Sequence, residues 1–151
     1  MTIQRYSNKW GGETVREAKQ LVQLILHAWP DTQAIYLFGS WGTEYERAES
    51  DVDIAVLLPP TQAKEAGSLL FSELHQALQI AVNKDVDLIN LRLAPTVLQK
   101  EIIMSGERLF QSTGTAADEF EMLVLSFYQK LNEERADILA EGLRSGKFYD
   151  P

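Results

Sequence analysis

The chain has 151 residues, 45% of them hydrophobic, and a formal net charge of −8. This length suits one ordinary domain with a real core, and the absence of cysteine excludes disulfides, thiolate zinc sites and thiol nucleophiles. Because 22 acidic residues outnumber 14 basic ones, we expect no direct binding of nucleic acid, and no apolar run approaches the ~18 residues of a membrane span.

The first predicted element is a helix that follows a loose arm, residues 1–12. Its apolar residues recur at three- and four-residue spacing and give one face that would pack on a sheet: Val15, Ala18, Leu21, Val22, Ile25, Leu26 and Trp29. Pro30 ends this pattern, and Ala34–Phe38 is typical of a buried strand. The arm contains no basic-then-apolar leader, so we expect a cytoplasmic protein.

The most informative segment begins where this strand ends. Gly39 and Ser40 form a turn that would present backbone N–H groups and a hydroxyl to an anion. Ten residues later, Asp51 and Asp53 alternate with apolar residues of a second strand, which predicts that both carboxylates share one face. Two such acids repel one another unless a cation lies between them, and Mg²⁺ prefers carboxylate and phosphate oxygens. The segment therefore predicts a phosphate site facing a metal site.

A second long helix is predicted after the strand that runs through Leu58. Its apolar positions are Ala63, Ala66, Leu69, Leu70, Leu74, Ala77, Leu78 and Ala81. Residues 85–90 then form a short strand pattern. We place Asp87 within this strand and Asp85 in the turn that precedes it.

The remaining pattern predicts a shorter helix, an edge strand and a long terminal helix. Pro95 suits the first turn of the shorter helix, Ser105 and Gly106 its end, and Leu109 with Phe110 the edge strand. The terminal helix carries an apolar stripe: Phe120, Leu123, Val124, Phe127, Leu131, Ile138 and Leu139. Two interpretations remain open, since this acidic helix could close the core or dock a partner.

The pattern Gly39-Ser40, ten residues, Asp51-x-Asp53 resembles the G-S-x10-D-x-D motif of the polymerase-beta-like nucleotidyltransferases. Small stand-alone members are the minimal nucleotidyltransferases, or MNT antitoxins. The resemblance implies an α/β fold with a small mixed β-sheet flanked by helices and a C-terminal helical extension. We divide the chain accordingly into a nucleotidyltransferase domain, residues 1–111, and the extension, residues 112–151.

The resemblance also implies the site and its substrates. Gly39 and Ser40 would bind the nucleotide, while Asp51, Asp53 and Asp87 would be both catalytic residues and ligands of Mg²⁺. ATP would be attacked at its α-phosphate by an acceptor hydroxyl, which Asp87 would help position and deprotonate, and pyrophosphate would leave.

This chain departs from the common family pattern just after the Gly-Ser turn. Many members carry Ala-Arg-Gly there, whereas residues 42–44 are Gly-Thr-Glu. Arg47 could restore the positive charge, although we interpret it as a solvated loop residue. Trp41 could cover a nucleotide, although packing on the core is our first interpretation.

For the biological role, the resemblance implies an antitoxin that transfers AMP from ATP to a tyrosine of a cognate HEPN ribonuclease toxin. The two proteins would form a hetero-oligomer, with no membrane involved. One alternative is a nucleotidyltransferase for a small molecule of the aminoglycoside type, which the lack of room for a separate substrate domain disfavours. The other is a binding-only antitoxin, which the intact Gly39, Ser40 and acidic residues disfavour.

Overall fold

A computed structural model of the chain describes residues 3–4, 10–39, 51–70 and 72–145. Its strands are β1 Ile3–Gln4, β2 Ala34–Phe38, β3 Val52–Leu57, β4 Val86–Asn90 and β5 Glu107–Gln111. Its α-helices are α1 Gly12–Ala28, α2 Pro60–Ala66, α3 Glu73–Val82, α4 Thr96–Ser105 and α5 Ala116–Ser145, and a short 3₁₀ helix covers Leu91–Leu93. Ser40, Trp41, Arg47 and residues 42–44 lie outside the described residues.

The strands form one mixed sheet in the order β1-β5-β2-β3-β4. Among the described strands, β3 and β4 are the parallel pair, and their connection carries α2 and α3, since parallel neighbours need a crossover. The other pairs of neighbours are antiparallel. The predicted α/β fold with a small mixed sheet is therefore confirmed.

The two faces of the sheet are covered by different helices. Alternate residues of β3 divide between two hydrophobic clusters, as the two-residue period of a strand requires. Val52, Ile54 and Val56 pack with α1 and α3, whereas Ala55 and Leu57 pack with α4 and the start of α5. The prediction that the first helix packs on the sheet is confirmed.

The prediction of one long helix after the second strand is wrong. The structure has two helices, because the backbone leaves the helical conformation at Gly67, whose φ is +59°. The Ser72 hydroxyl then accepts a 3.1 Å hydrogen bond from the His75 N–H and caps the start of α3. The apolar spacing of the two helices is nearly in phase, so periodicity alone did not reveal the break.

Two further predictions, both about strands at the far side of the sheet, are wrong. Ile3 and Gln4, which we assigned to a loose arm, pair with β5, and β5 lies between β1 and β2 instead of at the edge. Both errors have one cause. The pairing of β1 with β5 involves only two residues of β1, which are too few to give a periodic pattern of hydrophobic residues in the sequence.

The first turns of α5 close the core, whereas later apolar side chains of the same helix are exposed. Phe120 and Val124 are buried in the cluster with α4, while Leu123, Phe127, Ile138 and Leu139 are half or more exposed. The docking role for the exposed part stays a prediction. No helix within the described ranges combines the length and the apolar character needed to span a membrane.

Two arginines fasten the start of α5 to the rest of the domain. The Arg92 guanidinium lies 5.2 Å from the centre of the Phe120 ring and donates a 2.5 Å hydrogen bond to the Leu58 carbonyl. Arg108 of β5 forms ion pairs with Asp118 and Glu121. Burial lowers the pKa of Arg92. The partly buried guanidinium is stabilised by its oxygen acceptors and by the Phe120 ring.

Candidate active site

The turn after β2 approaches the end of β3 very closely. Gly39 has a φ of +79°, a conformation that favours glycine. A Cβ atom at this position would overlap a carboxyl oxygen of Asp53 and lie 3.0 Å from its Cγ. Gly39 is therefore required twice, once by the backbone conformation and once by the nearby carboxylate. Its predicted neighbour Ser40 lies outside the described residues.

Asp53 and Asp87 are direct neighbours in the sheet. The parallel register pairs Asp53 of β3 with Asp87 of β4, so the two side chains project side by side from one face. Asp51 directly precedes β3 and is exposed. The register is held at this end by a 2.9 Å hydrogen bond from the Val52 N–H to the Asp85 carbonyl. The structure thus brings Gly39, Asp53 and Asp87 together, with Asp51 at the rim.

The electrostatics of this group are dominated by unbalanced negative charge. Partial burial raises the pKa of Asp53 to about 6, and the negative charges of Asp87 and then Asp51 contribute to the same rise. Asp53 therefore lies within electrostatic reach of both other carboxylates. Such a group has a strong preference for a cation.

These carboxylates suit a divalent cation in kind but do not enclose one. Among the described residues, no three His, Cys, Asp or Glu side chains are grouped closely enough to hold a metal ion. The donors nevertheless fit Mg²⁺ in kind, because paired carboxylates that leave room for phosphate oxygens are its usual protein ligands. The pKa of Asp53 is raised first by burial and then by the neighbouring carboxylates, so a nearby cation would stabilise its ionised form. The residues therefore suit Mg²⁺ in the type of their donor atoms and in their strand register, although they do not surround the ion.

The charge on Asp53 gives a testable effect on stability. Because its folded-state pKa is raised from 3.8 to about 6, ionisation of Asp53 disfavours folding, and this penalty develops between those pH values and persists above them. Asp53→Asn should therefore raise the melting temperature at about pH 8, with a smaller gain near pH 4. Thermal unfolding followed by circular dichroism measures this, and Asp137→Asn, exposed on α5, is the matched control.

An equal gain for Asp53→Asn at both pH values would show that the carboxylate carries no such penalty.

The strand that carries Asp87 is held in place by buried polar side chains from neighbouring helices. His75 of α3 donates a 2.6 Å hydrogen bond from Nε2 to the Val86 carbonyl at the start of β4. At the other end, the Asn90 amide donates 2.9 Å hydrogen bonds to the carbonyls of Ala63 and Gly67. The sequence does not reveal these two supports, because nothing in the local pattern of either residue indicates which segment its side chain contacts.

A cavity of about 310 Å³ opens beside Asp87. Its walls come from the loop after α2, from β4, and from the segment that leads into α4. Most of the lining side chains are apolar, including Leu70, Leu93 and Leu98. We did not predict this cavity, because it is built from segments that are separate in sequence.

The site described so far consists of a glycine turn against one carboxylate, with a second carboxylate in register on the next strand. The sequence family described as polymerase beta nucleotidyltransferase matches residues 20–114, which include all of these residues. The chain belongs to this nucleotidyltransferase family. The resemblance predicted from the Gly-Ser and Asp-x-Asp motif is thus confirmed.

Known nucleotidyltransferases of this family resemble the chain over most of its length. The protein adenylyltransferase MntA of Shewanella oneidensis is 37% identical over 122 residues, which are 80% of this chain and 83% of MntA. A solved structure of a tri-AMPylated HEPN toxin with its MNT antitoxin, from the same organism, matches with a TM-score of 0.65 and 32% identity, over 86% of this chain and 98% of that one. A toxin-antitoxin structure with AMP-PNP gives a TM-score of 0.67 and 33% identity, over 83% and 98%.

Proposed function

We propose that this chain is an antitoxin that acts as a Mg²⁺-dependent protein adenylyltransferase. It transfers AMP from ATP to a tyrosine of a cognate HEPN ribonuclease toxin, which neutralises the toxin. The observation that carries the proposal is the in-register pair Asp53 and Asp87 next to the Gly39 turn. Its relative MntA is a protein adenylyltransferase, and an AMPylated toxin is the subject of a related complex. We expect the reaction to take place in the cytoplasm, where ATP is available.

The positions of the residues support the role proposed for each. Gly39 lets the backbone come close to the phosphates, since no side chain intervenes between the turn and Asp53. Asp51, Asp53 and Asp87 would hold Mg²⁺, which when bound offsets negative charge on the triphosphate. Asp87 also orients the acceptor hydroxyl and takes its proton.

The transfer is balanced in atoms and charge. The tyrosine oxygen forms a bond to the α-phosphorus of ATP, and the bond from that phosphorus to the bridging oxygen of the β-phosphate breaks. Pyrophosphate leaves with that oxygen. The proton of the hydroxyl passes to the Asp87 carboxylate and then to solvent.

Incubation of the chain with a purified HEPN partner, ATP and Mg²⁺ tests this proposal. We expect intact-protein mass spectrometry to detect AMP added to the partner, peptide mapping to locate it on tyrosine, and ribonuclease activity to fall with it. A partner in which that tyrosine is replaced by phenylalanine is the control. A tight, inactive complex without modification would favour the binding-only antitoxin, and transfer to an aminoglycoside alone would favour the small-molecule enzyme.

A further inference from the structure

The cavity beside Asp87 has the size and the polarity of a site for a single aromatic side chain. Its volume of about 310 Å³ is at the lower end of the ~300–1,000 Å³ typical of small-ligand pockets, so it has room for an aromatic ring. Leu70, Leu93 and Leu98 provide apolar contact surface, and Asp87 provides a carboxylate at the wall. Leu93 and Leu70 are about half exposed, so the cavity is open to a partner from outside.

The order of the strands places this cavity on one particular side of the reacting groups. Gly39 follows β2 and contacts Asp53 of β3, whereas the cavity lies against β4 at the edge of the sheet. Asp53 and Asp87 therefore stand between the Gly39 turn and the cavity. In-line displacement requires the attacking oxygen and the leaving pyrophosphate on opposite sides of the α-phosphorus. If the turn receives the phosphates that leave, the acceptor must arrive from the cavity side.

We infer that this cavity seats the phenol ring of the acceptor tyrosine and presents its hydroxyl to Asp87. The inference rests on the proposed function and extends it by naming the surface that selects the acceptor. Tyrosine suits the cavity because its ring is apolar and only its tip is polar. A serine or threonine acceptor would leave the apolar walls of Leu93 and Leu98 unfilled.

The competing occupant is the adenine ring of ATP. Asn90 lines the cavity, and its buried Oδ1 has no hydrogen-bond partner among the described residues, so this oxygen is a candidate acceptor for the adenine amino group. The position of the cavity at Asp87, beyond the carboxylates as seen from Gly39, favours the acceptor. The two occupants predict opposite effects on nucleotide affinity, so one variant separates them.

We expect the substitution Ala94→Phe to fill the cavity without changing the backbone around it. Ala94 lines the cavity in an extended conformation, with φ −72° and ψ 152°, which phenylalanine adopts without strain. Val97→Phe is the matched control, because Val97 is exposed on the neighbouring α4 and does not line the cavity. Circular dichroism and melting temperature establish that both variants fold.

The first measurement is the rate of AMP transfer to the toxin. We expect Ala94→Phe to lower kcat/KM for modification of the toxin by about tenfold or more, with affinity for AMP-PNP unchanged, because only acceptor binding is lost. Val97→Phe should behave as the wild type. A loss of AMP-PNP affinity in Ala94→Phe would assign the cavity to adenine and overturn the inference. Wild-type transfer by a folded Ala94→Phe variant would also overturn it.

The second measurement does not depend on transfer. N-acetyltyrosinamide should shift the methyl resonances of Leu93 and Leu98 in NMR spectra of the wild type and of Val97→Phe, but not of Ala94→Phe. Shifts at these methyls in a protein that modifies no protein would overturn the proposed function while supporting an aromatic site. Their absence in a wild type that does modify its toxin would overturn the role of the cavity alone.

Discussion

The double variant Asp51→Asn/Asp53→Asn is expected to lose AMP transfer while keeping its fold. Transfer should fall by about 10³-fold or more, because a divalent ion contributes several kcal/mol to stabilising a phosphoryl-transfer transition state and amides hold it poorly. The fold should persist, since Asp51 is exposed and the charge on Asp53 disfavours the folded state at neutral pH. Mass spectrometry of the toxin after incubation with ATP and Mg²⁺ measures the loss.

Two controls make this result specific. Asp137→Asn removes an equally acidic side chain from the exposed part of α5 and should transfer AMP as the wild type does. Isothermal titration with Mn²⁺ should detect binding to the wild type and not to the double variant. Retained transfer in a folded double variant would exclude Asp51 and Asp53 from catalysis.

Asp87→Asn is expected to reduce turnover by about 10²–10⁴-fold, the usual contribution of general acid-base catalysis. Affinity for AMP-PNP should change much less, because Asp51 and Asp53 remain to hold the nucleotide with its metal ion. Single-turnover kinetics with saturating ATP separate these two quantities. The effect should fall on the chemical step, where Asp87 accepts the proton of the hydroxyl.

The matched control for this variant is Asp85→Asn, two residues earlier. Asp85 is exposed in the turn before β4, and its backbone carbonyl, which the substitution keeps, is the group that bonds to Val52. We expect wild-type turnover for Asp85→Asn. An inactive Asp85→Asn beside an active Asp87→Asn would mean that the other acid of this segment is the functional one.

The short segment around Gly39 and Asp53 could be interpreted from sequence because its signals are local. An apolar strand, a glycine turn and alternating carboxylates each follow from spacing along a few residues. The resemblance to nucleotidyltransferases rested on the same residues, and the family assignment confirmed it. The predicted placement of Asp87 inside a strand and of Asp85 before it also agrees with the structure.

Features that depend on pairing between distant segments were beyond such reasoning. The proximity of Asp53 to Asp87 follows from the register of two parallel strands that are separated along the chain by two helices. The break at Gly67, the two-residue strand β1 and the cavity near Leu93 likewise depend on contacts between segments. The spacing of hydrophobic residues indicates which face of a helix or strand is buried, but not which other segment that face packs against.

The exposed apolar side chains of α5 have a consequence for handling the isolated protein. Phe127, Ile138, Leu139 and Leu143 are all more than half exposed on one helix, which creates a tendency to self-associate. The net charge of −8 opposes this tendency through mutual repulsion between molecules. Added salt screens that repulsion and leaves the apolar attraction in place, so colloidal stability in storage will decline as ionic strength rises.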